Sequence, residues 1–347
     1  MKDIKFSTEA RKAEHIEICL NEKVTGDQIT TGFERYRFKH LALPEVDFSE
    51  ISTVTEFLRK RLKGPFLVSS MTGGTETAHG INSRLASVAE RRGWAIGVGS
   101  VRAALENPDL AYSFQIRKSA PSVPIIANLG AVQFNYGIGA DHCRRAVDLL
   151  EADGLVLHLN SLQEIFQTEG NMNFKDLLVK IEKVCRSLEV PVGVKEVGWG
   201  IDGVTARRLQ DAGVSFIDVA GAGGTSWSQV EKHRSKDPMK KRAAEAFRDW
   251  GNPTAECIRE VHEYVEKVVI IASGGIQNGH EAAKAMALGA DLVGFGRTLL
   301  KAATESEEQL DLRFEQVEYE FRAAMFGIGA GTLQALKNTD RLVAVRA

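Results

Sequence analysis

Lys195 stands inside the apolar run Pro191–Val197, where a bare ammonium is costly to bury. Its neighbour Glu196 is a poor partner, because adjacent residues of a strand point to opposite faces. An anionic ligand is the better counter-charge. Two glycine-rich segments, Ser273-Gly274-Gly275-Ile276 and Gly294-Phe295-Gly296-Arg297, read as phosphate cradles. Glycine lets backbone N–H groups approach an anion closely, and a following helix adds its N-terminus. A lysine beside two such cradles implies a phosphorylated, anionic cofactor such as reduced FMN. A second group, His158, Asn160, Gln163 and Glu164, crowds one strand end. His158 and Asn160 share a strand face by the period of two. A lone histidine is ordinarily structural; this crowding of polar groups argues for a site.

Strands must hold these groups. Eight short apolar runs follow one another: Phe66–Met71, Ala95–Ser100, Pro124–Leu129, Gly154–Asn160, Pro191–Val197, Phe216–Gly221, Val269–Gly275 and Leu292–Arg297. Most are continuous rather than alternating, the mark of parallel strands covered on both faces. Helical periodicity fills the gaps at Asn82–Arg92, Ala140–Glu151, Asn173–Leu188, Val204–Ala212 and His280–Leu288. Gly93, Gly213 and Gly289 are placed to stop helices. This alternation predicts an α/β fold, a single (β/α)8 TIM barrel, whose reactive residues sit at strand C-termini. The candidates fall there, as do Met71-Thr72-Gly73-Gly74, Ser100, Arg102, Asn128 and Thr225. The barrel spans 66–326, with an N-terminal extension at 1–65 and a tail at 327–347. From charge alone, the extension reads as a solvated helix plus a cap on the barrel bottom. The long interval from Phe216 to Val269 predicts a large loop at Gly224–Lys241.

The 347 residues carry a formal charge of -2 and are 44% hydrophobic, enough apolar material for a large core. Near-neutrality gives no basic surface for nucleic acid or an anionic membrane. No apolar run approaches the ~20 residues of a membrane span. The N-terminal MKDIKFSTEARKAEHIEI has no apolar core for a secretory signal. Cys19, Cys143, Cys185 and Cys257 form no C-x-x-C pair and read as buried reduced thiols. A cytoplasmic protein fits these features.

The chain resembles the flavin-dependent, type 2 isopentenyl diphosphate isomerases over nearly its whole length. The most specific motifs are Arg11-Lys12-x-Glu14-His15 and His158-x-Asn160-x-x-Gln163-Glu164-x-x-Gln167-x-Glu169-Gly170. Ala42-Leu43-Pro44-Glu45, Ser70-Met71-Thr72-Gly73-Gly74, Gly97-Val98-Gly99-Ser100-x-Arg102, Val194-Lys195-Glu196 and Gly223-Gly224-Thr225-Ser226-Trp227 accompany them. The resemblance implies that Arg11, Lys12, Ser100, Arg102, His158 and Asn160 bind the substrate diphosphate or its surroundings. Gln163 would lie at the reacting double bond as the catalytic residue, and Glu164 would hold Mg2+ on the diphosphate. Met71, Thr72, Gly73, Ser100, Asn128, Lys195, Thr225, Gly274, Gly275, Gly296 and Arg297 would hold FMN, with NADPH needed only to reduce it. A homotetramer or homo-octamer is implied as well. One departure is on strand 8, where an Ala-x-Pro-like run is expected after the glycine and the chain reads Gly296-Arg297-Thr298.

The implied reaction moves a carbon–carbon double bond with one proton added and another removed. Gln163 is neutral and a metal-held Glu164 is a poor proton shuttle, so reduced flavin is the expected acid and base. A rival flavin barrel, a 2-hydroxy-acid oxidase, needs a histidine base after strand 6. That region reads Ala220-Gly221-Ala222-Gly223-Gly224-Thr225, with no histidine before His233 and no cysteine for a nucleotide dehydrogenase. A non-catalytic flavin-binding regulator would have no use for Arg11-Lys12 or Gln163-Glu164.

Overall fold

The computed structural model describes residues 2–345, with side chains from residue 10 onward. Eight parallel strands close into a barrel. They are β1 (Phe66–Val68), β2 (Ala95–Gly97), β3 (Ile125–Gly130), β4 (Gly154–His158), β5 (Val192–Lys195), β6 (Phe216–Asp218), β7 (Val269–Ala272) and β8 (Leu292–Phe295). Closure comes from β8 pairing with β1, Val293 opposite Phe66. All residues of β1, β2, β3, β5, β6 and β8 are buried, as continuous apolar runs require.

Most strands are shorter than their apolar runs. The assigned strands stop at Val68, Gly97, Lys195, Asp218 and Ala272. Regular parallel bonding runs on past β6, with Val219 N–H donating to Ile271 O at 3.0 Å and Gly221 N–H to Ser273 O at 2.9 Å. Past β2, by contrast, Gly99 N–H reaches Thr72 O at 2.9 Å, out of the β1–β2 register. Residues beyond these strand ends line the mouth.

Helix ends follow their caps rather than the apolar period. Thr75 accepts from Ala78 N, so the second helix starts at Glu76, ahead of Asn82. Asp202 and Asn278 cap Gly203–Asp211 and Gly279–Ala287 in the same way. Gly93 stops its helix at φ 70. The third predicted helix is trimmed to Leu177–Ser187. The expected loop at Gly224–Lys241 is corrected: it holds helix Trp227–Arg234 and the first half of helix Pro238–Ala246. Asp237 accepts from Met239 N and Lys240 N and starts the second of these at a proline, a cap that charge and length alone did not weigh.

The N-terminal extension serves both ends of the barrel. Phe57 and Leu62, from the hairpin Thr55–Phe57/Lys60–Leu62, pack with Leu67, Ala95, Ile126 and Ile271 and close the bottom. The helix Lys2–Asn21 does not float in solvent: Arg11, Lys12, His15 and Ile16 line the mouth. Tyr36–Phe38 pairs antiparallel with Leu342–Ala344, which ties the tail to the extension. The last two residues of that tail lie outside the described chain. Among the described residues no helix is long and apolar enough to cross a membrane. The four cysteines are free thiols; Cys143 and Cys257 are buried, while Cys19 and Cys185 are partly exposed.

Candidate active site

One cavity of about 300 Å3 opens at the C-terminal ends of the strands. The N-terminal helix gives it Arg11 and Lys12, the loop after β1 Met71 and Thr72, and the loop after β2 Ser100 and Arg102. β3 gives Asn128, β4 gives His158, and the helix Ser161–Phe166 with its N-cap residue gives Asn160, Gln163 and Glu164. Lys195, Thr225, Gly274, Gly275, Gly296 and Arg297 complete the predicted set. Gly73 stands apart: a Cβ there would meet Phe114 at 2.0 Å, so it makes room for a ring behind the wall.

Lys195 is 8% exposed and donates from Nζ to the Glu196 backbone oxygen at 2.5 Å. Glu196 turns to the other face, as the strand period demands. Its Oε2 accepts from the N–H groups of Val197, Gly198 and Trp199 at 2.6–2.8 Å. Asp218 sits opposite Lys195 on β6, 3% exposed, and accepts from Ser273 Oγ at 2.5 Å. Burial pushes the Asp218 carboxyl up, against the pull of Lys195 and Ser273.

The glycine wall has a structural cause that the sequence did not reveal. A Cβ on Gly274 would stand 2.1 Å from Gly221 O, and one on Gly275 2.7 Å from Gly224 N. Both residues have positive φ, 104 and 78. These two glycines therefore let the loops after β6 and β7 pack backbone to backbone. Gly296 is different: a Cβ there would come no closer to its surroundings than 3.9 Å, to Ser69. It precedes helix Arg297–Glu305, whose first residues Arg297 and Thr298 line the cavity and whose N-cap offers no side-chain bond. Ser69 Oγ is buried without a partner in the same cavity wall. A helix start, an unpartnered hydroxyl and a buried lysine fit the phosphate and the electron-rich ring of FMN.

The other end of the cavity is built around Glu164. Asn160 Nδ2 donates to its Oε1 at 2.8 Å, and Asn171 N–H to its Oε2 at 2.5 Å. Asn160 Oδ1 is buried and has no partner. A carboxylate beside a free amide oxygen suits Mg2+, which takes one or two protein oxygens and completes its shell with phosphate and water. Among the described residues no three His, Cys, Asp or Glu converge on a point. The donor set therefore fits a metal shared with a diphosphate, not a closed protein cage.

His158 Nδ1 lies 2.7 Å from Asn128 Oδ1, and its pKa is pushed down to about 3 by burial, then by Lys195 and Lys12. The imidazole is neutral, so it offers a hydrogen bond and no charge. Cationic charge comes from Arg11, Lys12 and Arg102. Lys12 Nζ donates to Ser100 O at 3.0 Å and lies 4.7 Å over the Phe114 ring. Burial, then Arg11, pushes the Lys12 ammonium down to about 7. Free enzyme thus carries the Lys12 charge below neutrality and loses it as pH rises. We expect kcat/KM for a diphosphate ligand to fall as pH climbs through about 7. Lys12→Arg should flatten that limb in a pH–rate profile; a limb unchanged by Lys12→Arg assigns it elsewhere.

Gln163 Nε2 lies 3.4 Å from Glu231 Oε1, which also takes His15 Nε2 at 3.0 Å. Burial pushes Glu231 up, but His15, Arg234 and Gln163 outweigh it and hold the carboxyl below its usual range. The Trp227 ring meets His15 edge-on at 5.1 Å. Sequence reasoning missed Glu231 because it lies on a helix rather than at a strand end. Its four-residue spacing from Trp227, one helical turn, was the available signal. Asp218 was missed although it breaks an apolar strand as Lys195 does; the same signal, a charge in a buried run, was available for it. His233 lies away from the cavity, its Nδ1 3.6 Å from Glu22.

Comparison with known proteins bears on this site. Residues 146–343 match the model of the family described as FMN-dependent dehydrogenase. The isopentenyl-diphosphate delta-isomerase of Oceanobacillus iheyensis is 57% identical over 96% of this chain and 95% of its own. That of a Nostoc strain is 50% identical, covering 96% of each chain. That of Rickettsia africae is 44% identical, covering 98% and 99%. Mandelate oxidase with (S)-2-phenylpropionate superposes with TM-score 0.66 at 20% identity, covering 98% of both chains, and shares the fold. The chain belongs to the FMN-dependent dehydrogenase family, a class of (β/α)8 flavin barrels. Within that class it is a member of the type 2 isopentenyl-diphosphate delta-isomerases.

Proposed function

We propose that the enzyme interconverts isopentenyl diphosphate and dimethylallyl diphosphate, with reduced FMN and Mg2+ as its cofactors. The observation that carries this is the two-ended cavity: a lysine and an open helix start at one end, Glu164 with Arg11, Lys12 and Arg102 at the other. Reduced FMN, when bound, supplies the acid and base at its ring nitrogen. Lys195 would hold the anionic ring by its charge. Met71, Thr72, Asn128, Thr225, Gly296 and Arg297 would shape its seat.

An alkene is a very weak base, and the cation formed by protonating it is trapped by water. Ile16 and Trp227 line the same cavity and would flank the carbon end, where an apolar wall disfavours water. Binding of the remote diphosphate to Arg11, Lys12, Arg102 and a Glu164-held metal positions the carbon end. Gln163, tethered to Glu231, would orient the double bond without donating a proton. NADPH would serve to reduce the flavin, and the native enzyme would be a homotetramer or homo-octamer.

The test is to mix dithionite-reduced protein with isopentenyl diphosphate and Mg2+ and identify the product. Dimethylallyl diphosphate is expected, with no turnover of lactate or mandelate. Oxidation of a 2-hydroxy acid without isomerisation would place the chain with the oxidases instead.

A further inference from the structure

Asn171 touches both halves of the diphosphate end. It lies in the segment after helix Ser161–Phe166, at a point where the chain must fold back tightly. A Cβ on Gly170 would stand 1.7 Å from the Glu164 carbonyl oxygen, so this path is open only to glycine. The fold-back presents the Asn171 N–H to Glu164 Oε2 at 2.5 Å. The side chain then reaches the opposite way. Its Oδ1 accepts from Arg102 Nη1 at 3.3 Å and from Gln133 Nε2 at 3.0 Å. A guanidinium only donates, so the atom facing Arg102 must be the amide oxygen. Arg102 is steadied on its other side by Glu106 at 2.6 Å. A single residue thereby spans the carboxylate assigned to the metal and a guanidinium assigned to the diphosphate.

We infer that Asn171 is a positioning residue that fixes the spacing of Glu164 and Arg102, and so couples Mg2+ binding to diphosphate binding. The inference rests on the proposed reading of Glu164 as the metal ligand. Magnesium tolerates little departure from octahedral geometry, and it shares its shell between one carboxylate and phosphate oxygens. A carboxylate and a guanidinium locked to each other through one amide keep both partners of that shared shell in register. The backbone N–H bond to Glu164 survives any substitution at position 171 that retains the N–H. The side-chain bonds to Arg102 and Gln133 do not.

The test uses FMN-loaded protein and inorganic pyrophosphate, titrated by calorimetry with and without Mg2+. The parent should bind pyrophosphate more tightly with the metal present. Asn171→Ala should cut that enhancement by about tenfold. Its metal-free affinity should move by less than about threefold, because Arg102 keeps Glu106. A purely structural role would instead lower both affinities together, and that result would overturn the inference. So would an Asn171→Ala protein with the parent's full enhancement. A parent with no metal enhancement at all would remove Glu164 as the metal ligand, and this coupling with it. Asn171 is only partly buried and lies in a loop, so the alanine variant is expected to keep the parent's thermal unfolding temperature.

Discussion

Gln163→Ala is expected to lower kcat about 100-fold while KM for isopentenyl diphosphate moves less than about threefold. The reason is the division of labour in the cavity. On the proposed reading, affinity would reside in Arg11, Lys12 and Arg102 and in the Glu164 carboxylate at the diphosphate end. Gln163 is 8% exposed and held by Glu231, so its amide has a fixed direction. Its loss lets the carbon end wander, and an ångström of misplacement costs on the order of 100-fold in rate. Gln163→Glu separates orientation from charge: it sets a second carboxylate against the buried Glu231 and should be no better than alanine. Steady-state kinetics with reduced enzyme decide the matter. Equal losses in kcat and affinity would make Gln163 a simple anchor.

Lys195→Met should be the more damaging change, lowering kcat by about 100- to 1,000-fold at saturating FMN. Lys195 is the buried cation facing the cavity from β5, and Asp218 stands beside it on β6. Removing the ammonium would leave the reduced ring without this cation and leave buried Asp218 without its basic neighbour. The reduced flavin should lose more affinity than the oxidised one, so the midpoint potential should fall. His158 offers an independent check. Lys195 is the second cause, after burial, of its low pKa of about 3, so the variant should show a higher value by NMR titration. An unmoved potential together with an unmoved histidine would mean that Lys195 does not act through its charge.

Much of this arrangement was legible in the residues. The barrel follows from apolar runs such as Ile125–Gly130 and Val192–Lys195, which bury both faces and so carry no alternation. The site follows from polar groups at their C-terminal ends; the counter-charge sought for Lys195 is met in part by Asp218 on the next strand, which the reading of single runs did not pair with it. What was not legible depends on contacts between distant segments. The assigned strands end before their apolar runs do, as at Val68 and Ala272, and no single run records where pairing with a neighbour stops. The glycines at 274 and 275 line the cavity, and they also let the β7 loop pack on Gly221 and Gly224, a second demand for glycine that no single run reveals. The N-terminal helix reads as solvated by charge, but Arg11, Lys12 and His15 are drawn to the mouth by Ser100 and Glu231. Helix Trp227–Arg234 reads as a loop because its buried residues are mostly polar, Ser228, Gln229 and Glu231 with only Val230 among them, so no apolar stripe marks it.

The central claim is that this cavity performs proton transfer through a reduced flavin with no net redox change. One preparation should be assayed for conversion of isopentenyl to dimethylallyl diphosphate in three states: flavin removed, FMN bound and oxidised, and FMN bound and reduced. Turnover only in the reduced state, with the flavin still reduced after many cycles, is the predicted result. Equal activity of the flavin-free protein would contradict the account.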